Sequence, residues 1–74
     1  MPSIQTPARM RQIAHGAALR ALRIKAGVSS GQLATLIDID PKSLSRVEQG
    51  LDHVDRVKIL SRGTATLNAK LRQE

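Results

Sequence analysis

Cysteine and all three aromatic residue types are missing from this chain of 74 residues. Without cysteine there is neither a disulfide framework nor a thiolate zinc site. Without Phe, Tyr or Trp there is no stacking platform for single-stranded nucleic acid, which relies on aromatic faces. The two histidines, His15 and His53, lie far apart and lack a ligand pattern, so no metal is expected. No apolar run approaches the length needed to span a bilayer. The opening Met1-Pro2-Ser3-Ile4-Gln5-Thr6 lacks the charged and apolar regions of a secretion signal, which makes the cytoplasm the default compartment. Acids are also few: 6 Asp and Glu stand against 12 Lys and Arg, a formal net charge of +6. That imbalance on a short chain favours a polyanionic partner, nucleic acid first. Anionic membrane is the other candidate, but the cations are scattered along the sequence rather than gathered on one face of one amphipathic helix. No cofactor or small-molecule ligand is expected.

The length allows one domain, 1–74, with slim stability of its own. Thr6 followed by Pro7 reads as a hydroxyl cap and a proline at the first helical position. From there Met10, Ile13, Ala14, Ala17, Ala18, Ala21 and Leu22 recur at helical steps and predict one apolar face. Gly16 inside that pattern costs about 1 kcal/mol relative to alanine, a place where the helix would weaken or break. Gly27 ends it. Arg9 and Arg11 sit at a helix start, where the macrodipole disfavours cations, so another interaction is expected to hold them.

The most informative stretch is 29–50. Ser29, with Gln32 three residues on, forms a capping box for a short helix whose buried side is Leu33, Ala34, Leu36 and Ile37. Asp38 takes the turn position where a left-handed backbone is expected, and Ile39 pins the turn to the core. Asp40-Pro41 starts the next helix. Leu44 and Val47 point inward there, Lys42, Ser45, Arg46 and Gln49 fall on the other side, and Gly50 stops it. Two short helices joined this way form the unit that lays its second helix into the DNA major groove.

Beyond Gly50 the pattern is weaker. Leu51, Val54, Val57 and Leu60 step by three and predict a helix from about residue 52 to 61. Gly63 would end it, and Thr64 would cap a last helix carrying Leu67 and Leu71. The expected fold is an all-α bundle of about five helices.

Leu19 to Gly50 resembles the phage-repressor (Xre/Cro) family of helix-turn-helix proteins. The resemblance rests on Leu19-Arg20-Ala21-Leu22-Arg23, Gly27-Val28-Ser29, Leu33-Ala34, Ile39-Asp40-Pro41 and Leu44-Ser45-Arg46-Val47-Glu48-Gln49-Gly50, in ungapped register. It implies a lambda-repressor-like fold and a sequence-specific regulator of double-stranded DNA. It also implies that Arg23 and Glu48 pair across the core. Lys42 and Arg46, one turn apart, are the expected base readers, since both reach guanine O6 and N7, and Ser45 lies beside them. Two positions depart from the family pattern. Pro41 replaces a polar reader and offers only apolar contact, and Ser30-Gly31 opens the second helix where glutamine and a good helix former are usual. Ser29, Ser30 and Gln49 are expected phosphate contacts. Arg9, Arg11 and Arg56 are further candidates for the backbone.

On this reading the chain is a small Cro-like repressor of the phage or mobile-element kind. It would bind a palindromic operator as a homodimer, because one recognition helix covers only a few base pairs. Ending soon after the DNA-binding unit, the sequence gives no reason to expect a sensing or separate oligomerisation domain. The alternative is an antitoxin or adaptor whose main partner is a protein, with Leu67 and Leu71 as its surface. An enzyme is not expected: Asp38 with Asp40 and Asp52 with Asp55 are the nearest paired acids, and there is no nucleophile–base set or phosphate loop.

Overall fold

The computed structural model describes residues 6–73. Residues 1–5, which bear on the expected compartment, and residue 74 lie outside the described residues. Four helices follow one another: α1 (Pro7–Lys25), α2 (Ser30–Leu36), α3 (Pro41–Glu48) and α4 (Arg56–Arg72). The long outer helices α1 and α4 pack on each other and on α3, and α2 packs on α3. Leu19, Ala26, Val28, Leu33, Ala34, Ile37, Leu44, Val47, Ile59 and Leu67 form the core where these elements meet.

The helix starts are built from local chemistry. The Thr6 hydroxyl accepts the Arg9 N–H at 3.2 Å, with Pro7 at the first helical position. Ser29 and Gln32 close a reciprocal capping box, each side chain bonding the other's backbone N–H, at 3.1 and 2.9 Å. The Asp40 carboxylate accepts the Lys42 N–H at 2.9 Å, again with proline next in line.

The ends of α1, α2 and α3 repeat one arrangement. Val28 N–H donates to the Arg23 carbonyl, Ile39 N–H to Ala34 and Leu51 N–H to Arg46, while Gly27, Asp38 and Gly50 donate to the carbonyls of Ile24, Thr35 and Val47. These are Schellman closures, in which the left-handed residue lets two orphan carbonyls find donors. Glycine takes the left-handed position in α1 and α3; in α2 it is Asp38, at φ 58°. Replacing Asp38 with glycine should therefore raise stability by roughly 0.5–1 kcal/mol, read as a higher melting midpoint. A lower midpoint would show that the carboxylate contributes more than its backbone conformation costs.

Among the described residues four helices replace the expected five, because α4 runs unbroken through Gly63. That glycine is buried, and a Cβ there would sit 3.0 Å from Leu19 Cδ1, so it brings α1 close instead of ending a helix. The inward line of α4 is Ile59, Gly63 and Leu67, with Leu71 half-buried beyond them. Val54 is 95% exposed and Val57 71%, so the step of three from Leu51 does not mark a buried face.

The face of α1 also differs from expectation. Met10, Ala14, Ala17, Ala18 and Ala21 are exposed, as is Leu36 on α2. The inward line is Gln12, Gly16, Leu19 and Arg23. Gly16 does not break the helix. A Cβ on it would lie 2.2 Å from the Val47 carbonyl oxygen and 2.8 Å from that of Glu48, so here α1 meets the backbone of α3 directly. Gly50 faces the other way across the same junction: its Cβ would lie 2.7 Å from Ile13 Cα.

Candidate nucleic-acid interface

The capped start of α3 and the Asp38 turn hold its first helical residues at a set angle to α2. Leu44, Val47 and Glu48 bury one side, leaving Pro41, Lys42, Ser45, Arg46 and Gln49 exposed on the other. The outer side chains are partly organised. Gln49 Nε2 donates to Ser45 Oγ at 2.8 Å, one helical turn back, so Ser45 retains its own hydroxyl proton for an outside acceptor. Arg46 Nη2 donates to the Asp52 carbonyl at 3.2 Å, a surface bond that a stronger acceptor would displace. Pro41 presents only its ring.

The opposite side of α3 is anchored by an ion pair. Arg23 Nε lies 2.8 Å from Glu48 Oε2 and Nη2 donates to Oε1 at 3.0 Å, the two parallel bonds of a fork. Arg23 Nη1 also donates to the Val28 carbonyl at 3.0 Å, tying in the turn before α2. The side chains are only 14% and 5% exposed. The hydrogen bonding that Arg23 donates to Glu48 raises the guanidinium above its ordinary pKa, against the opposing effect of burial and with help from Coulomb attraction. A raised folded-state pKa adds stability that is complete below the ordinary arginine range and is lost only as pH climbs through the raised value. Arg23 therefore keeps its charge, and its share of that stability, throughout the neutral range.

Arg9 is tied into the fold through one of its guanidinium nitrogens. Its Nη1 donates to the Gly50 carbonyl at 2.7 Å, and Gln12 Nε2 donates to the same oxygen at 2.9 Å and to Asp52 Oδ1 at 2.9 Å. This contact explains a cation at a helix start and joins α1 to the end of α3. A lone glutamine in a helix carries no signal as sequence, so the role of Gln12 is visible only in the fold. Arg11 is exposed on α1, and Arg56 is half-buried at the start of α4. Ser29 is committed to the α2 cap through its backbone N–H and its hydroxyl oxygen, while Ser30 is half-buried beside it. Leu67 is fully buried and so offers no partner surface with Leu71.

The cations are unevenly shared among the helices. The segment 29–50 carries Lys42 and Arg46 against Asp38, Asp40 and Glu48, one more carboxylate than cation. The basic excess resides on the long outer helices. No group of His, Asp and Glu that could hold a metal occurs among the described residues, and no described helix is long and apolar enough to cross a membrane.

No curated protein and no solved structure matches this chain. Residues 15–72 match the helix-turn-helix domain family, from the middle of α1 to the end of α4. With that match spanning most of the sequence, the chain belongs to the helix-turn-helix domain family, which points to a DNA-binding regulator.

Proposed function

We propose that this protein is a sequence-specific regulator of double-stranded DNA, a small Cro-like repressor of the phage or mobile-element kind. It acts by occupying an operator and not by catalysis. Helix α3 enters the major groove, Lys42 and Arg46 meet guanine O6 and N7, Ser45 contacts a neighbouring base or phosphate, and Pro41 packs on a thymine methyl. Gln49, Ser30 and Arg56 hold the phosphate backbone, with Ser29 adding only its free hydroxyl proton, and fix the register without reading sequence. Two copies on a palindromic site supply the affinity that one short helix lacks.

The observation that carries this reading is the split of α3. Its buried side is fastened through Glu48, and its exposed side presents Lys42, Ser45 and Arg46 with no tie to the core. Selection of bound duplexes from random DNA tests it: a palindromic consensus is expected, and enrichment of nothing would refute it. On the selected site, Arg46→Ala should weaken binding by about 1–3 kcal/mol and relax preference at one base pair, with the melting curve nearly unchanged. A uniform loss across all sequences would make Arg46 a phosphate contact instead.

A further inference from the structure

A second surface lies between α1 and α4, a groove of about 530 Å³. His15, Ala18, Leu22, Leu60, Thr64 and Ala65 line it, with Leu22 and Leu60 half-buried and the others exposed. The stripe of α1 that borders the groove reads Arg11, His15, Ala18, Leu22, Lys25, at steps of four and three. On α4 helical steps from Ser61 and Ala65 give the exposed stripe Lys58, Ser61, Ala65, Asn68, Arg72, beside the row Val57, Leu60, Thr64. Each stripe is uncharged or apolar in the middle and cationic at both ends.

The two helices that form the groove carry charge of one sign, although Asp38 lies in the neighbouring cleft on the far side of Ala65. Neither α1 nor α4 contains an aspartate or glutamate, and of the 12 cations of the chain only Lys42 and Arg46 lie outside these two helices. The acids fall at Asp38, Asp40, Glu48, Asp52, Asp55 and Glu74. A second copy laying its own α1 or α4 here would bring like charges together, which is destabilising. A duplex would satisfy the cations but leave the apolar floor without a use. We propose that the α1–α4 groove docks an acidic amphipathic helix of a partner protein. Small apolar side chains of that helix enter between Ala18 and Ala65, and its carboxylates meet the cations at the ends of the stripes.

From His15 to Leu22 the groove follows about two turns, or about 10 Å, of α1. So short a seat makes a contact that forms and releases readily. This docking is separate from operator reading by α3 and stands whether or not a palindromic site is found.

The test uses the whole chain with a synthetic helical peptide that has an Ala/Leu seam and glutamates on its flanks. Binding is read by fluorescence anisotropy and by backbone amide NMR shifts. Saturable binding that moves the amides of Ala18, Leu22, Leu60 and Ala65 is expected. Affinity should fall roughly tenfold or more for Ala65→Glu and for Lys58→Glu, whose unchanged circular dichroism would show intact folds. A peptide with the same glutamates but a serine seam should bind at least tenfold more weakly. Equal binding of that control would reduce the effect to bulk electrostatics and overturn the proposal, as would no binding at all. Self-association in the ultracentrifuge that Ala65→Glu abolishes would assign the groove to a second copy. Duplex DNA moving the same four amides would assign it to nucleic acid. Either result would overturn the proposal.

Discussion

Replacing Gly16 with alanine should cost roughly 3 kcal/mol or more, enough to unfold most of the population of so small a domain. The direction is opposite to what helix propensity demands, since alanine in a helix interior is worth about 1 kcal/mol over glycine. The reason is the neighbour. The new methyl group would lie 2.2 Å from the Val47 carbonyl oxygen and 3.0 Å from the Glu48 carbonyl carbon. Those are backbone atoms at the end of α3, with no rotamer to change, so α1 must shift away from the junction. That shift also strains the contacts of Arg9 and Gln12 with the Gly50 carbonyl. Gly31 on α2 is the internal control, because a Cβ there meets nothing within 4 Å. Urea or thermal melts should show Gly16→Ala falling steeply while Gly31→Ala holds level or rises by up to about 1 kcal/mol. A Gly16→Ala protein as stable as the parent would mean that α1 and α3 do not approach this closely.

Arg23→Ala is the second substitution expected to unfold the domain, at about 3–5 kcal/mol. It leaves the Glu48 carboxylate, 5% exposed, without its fork of donors, and strips the Val28 carbonyl of the Nη1 bond. Lysine should not rescue it, since one ammonium cannot match two parallel bonds to a carboxylate and a third to a carbonyl. Changing both partners to apolar residues of similar volume, Arg23→Met with Glu48→Leu, should recover much of the loss. A double-mutant cycle measured by denaturant melts supplies the coupling. Additive losses, with no recovery in the double variant, would show that the two side chains act independently. DNA binding by Arg23→Ala should fall in proportion to the unfolded fraction, whereas Arg46→Ala lowers affinity in a folded protein.

The central two helices were legible because their signals are local. A capping box, an Asp-Pro start and a left-handed turn residue each involve neighbours within four positions, and every one forms. Exposure of Lys42, Ser45 and Arg46 follows from the helical period once Leu44 and Val47 face inward. The outer helices depend on partners far along the chain. Four alanines of α1 suggested a buried face, yet alanine removes little area from water and is nearly as comfortable outside. The true inward positions include Gln12, Gly16 and Arg23, polar or featureless as sequence, whose partners are Asp52, Val47 and Glu48. Gly63 looked like a stop because nothing nearby announces Leu19, the side chain that needs its missing Cβ. Arg9 called for a partner at its helix start, but the acceptor lies 41 residues away, beyond any local pattern.

The three Schellman closures also decide where this chain can be cut open. Each is followed by an apolar residue: Val28 lies in the core, Ile39 packs against it and Leu51 is half-buried. The connections after α1 and α2 are therefore parts of the interior and not spare cord. A flexible insertion between Asp38 and Ile39 would pull a core residue out of place. Between Val54 and Asp55, beside a side chain 95% exposed, the same insertion displaces no core residue: it breaks the short turn in which His53 accepts from the Asp55 and Arg56 N–H groups and adds loop-closure entropy, about 0.6 kcal/mol per doubling of length. A tag, a fluorophore or a second domain belongs there, and melting curves of the two insertion variants should separate them cleanly.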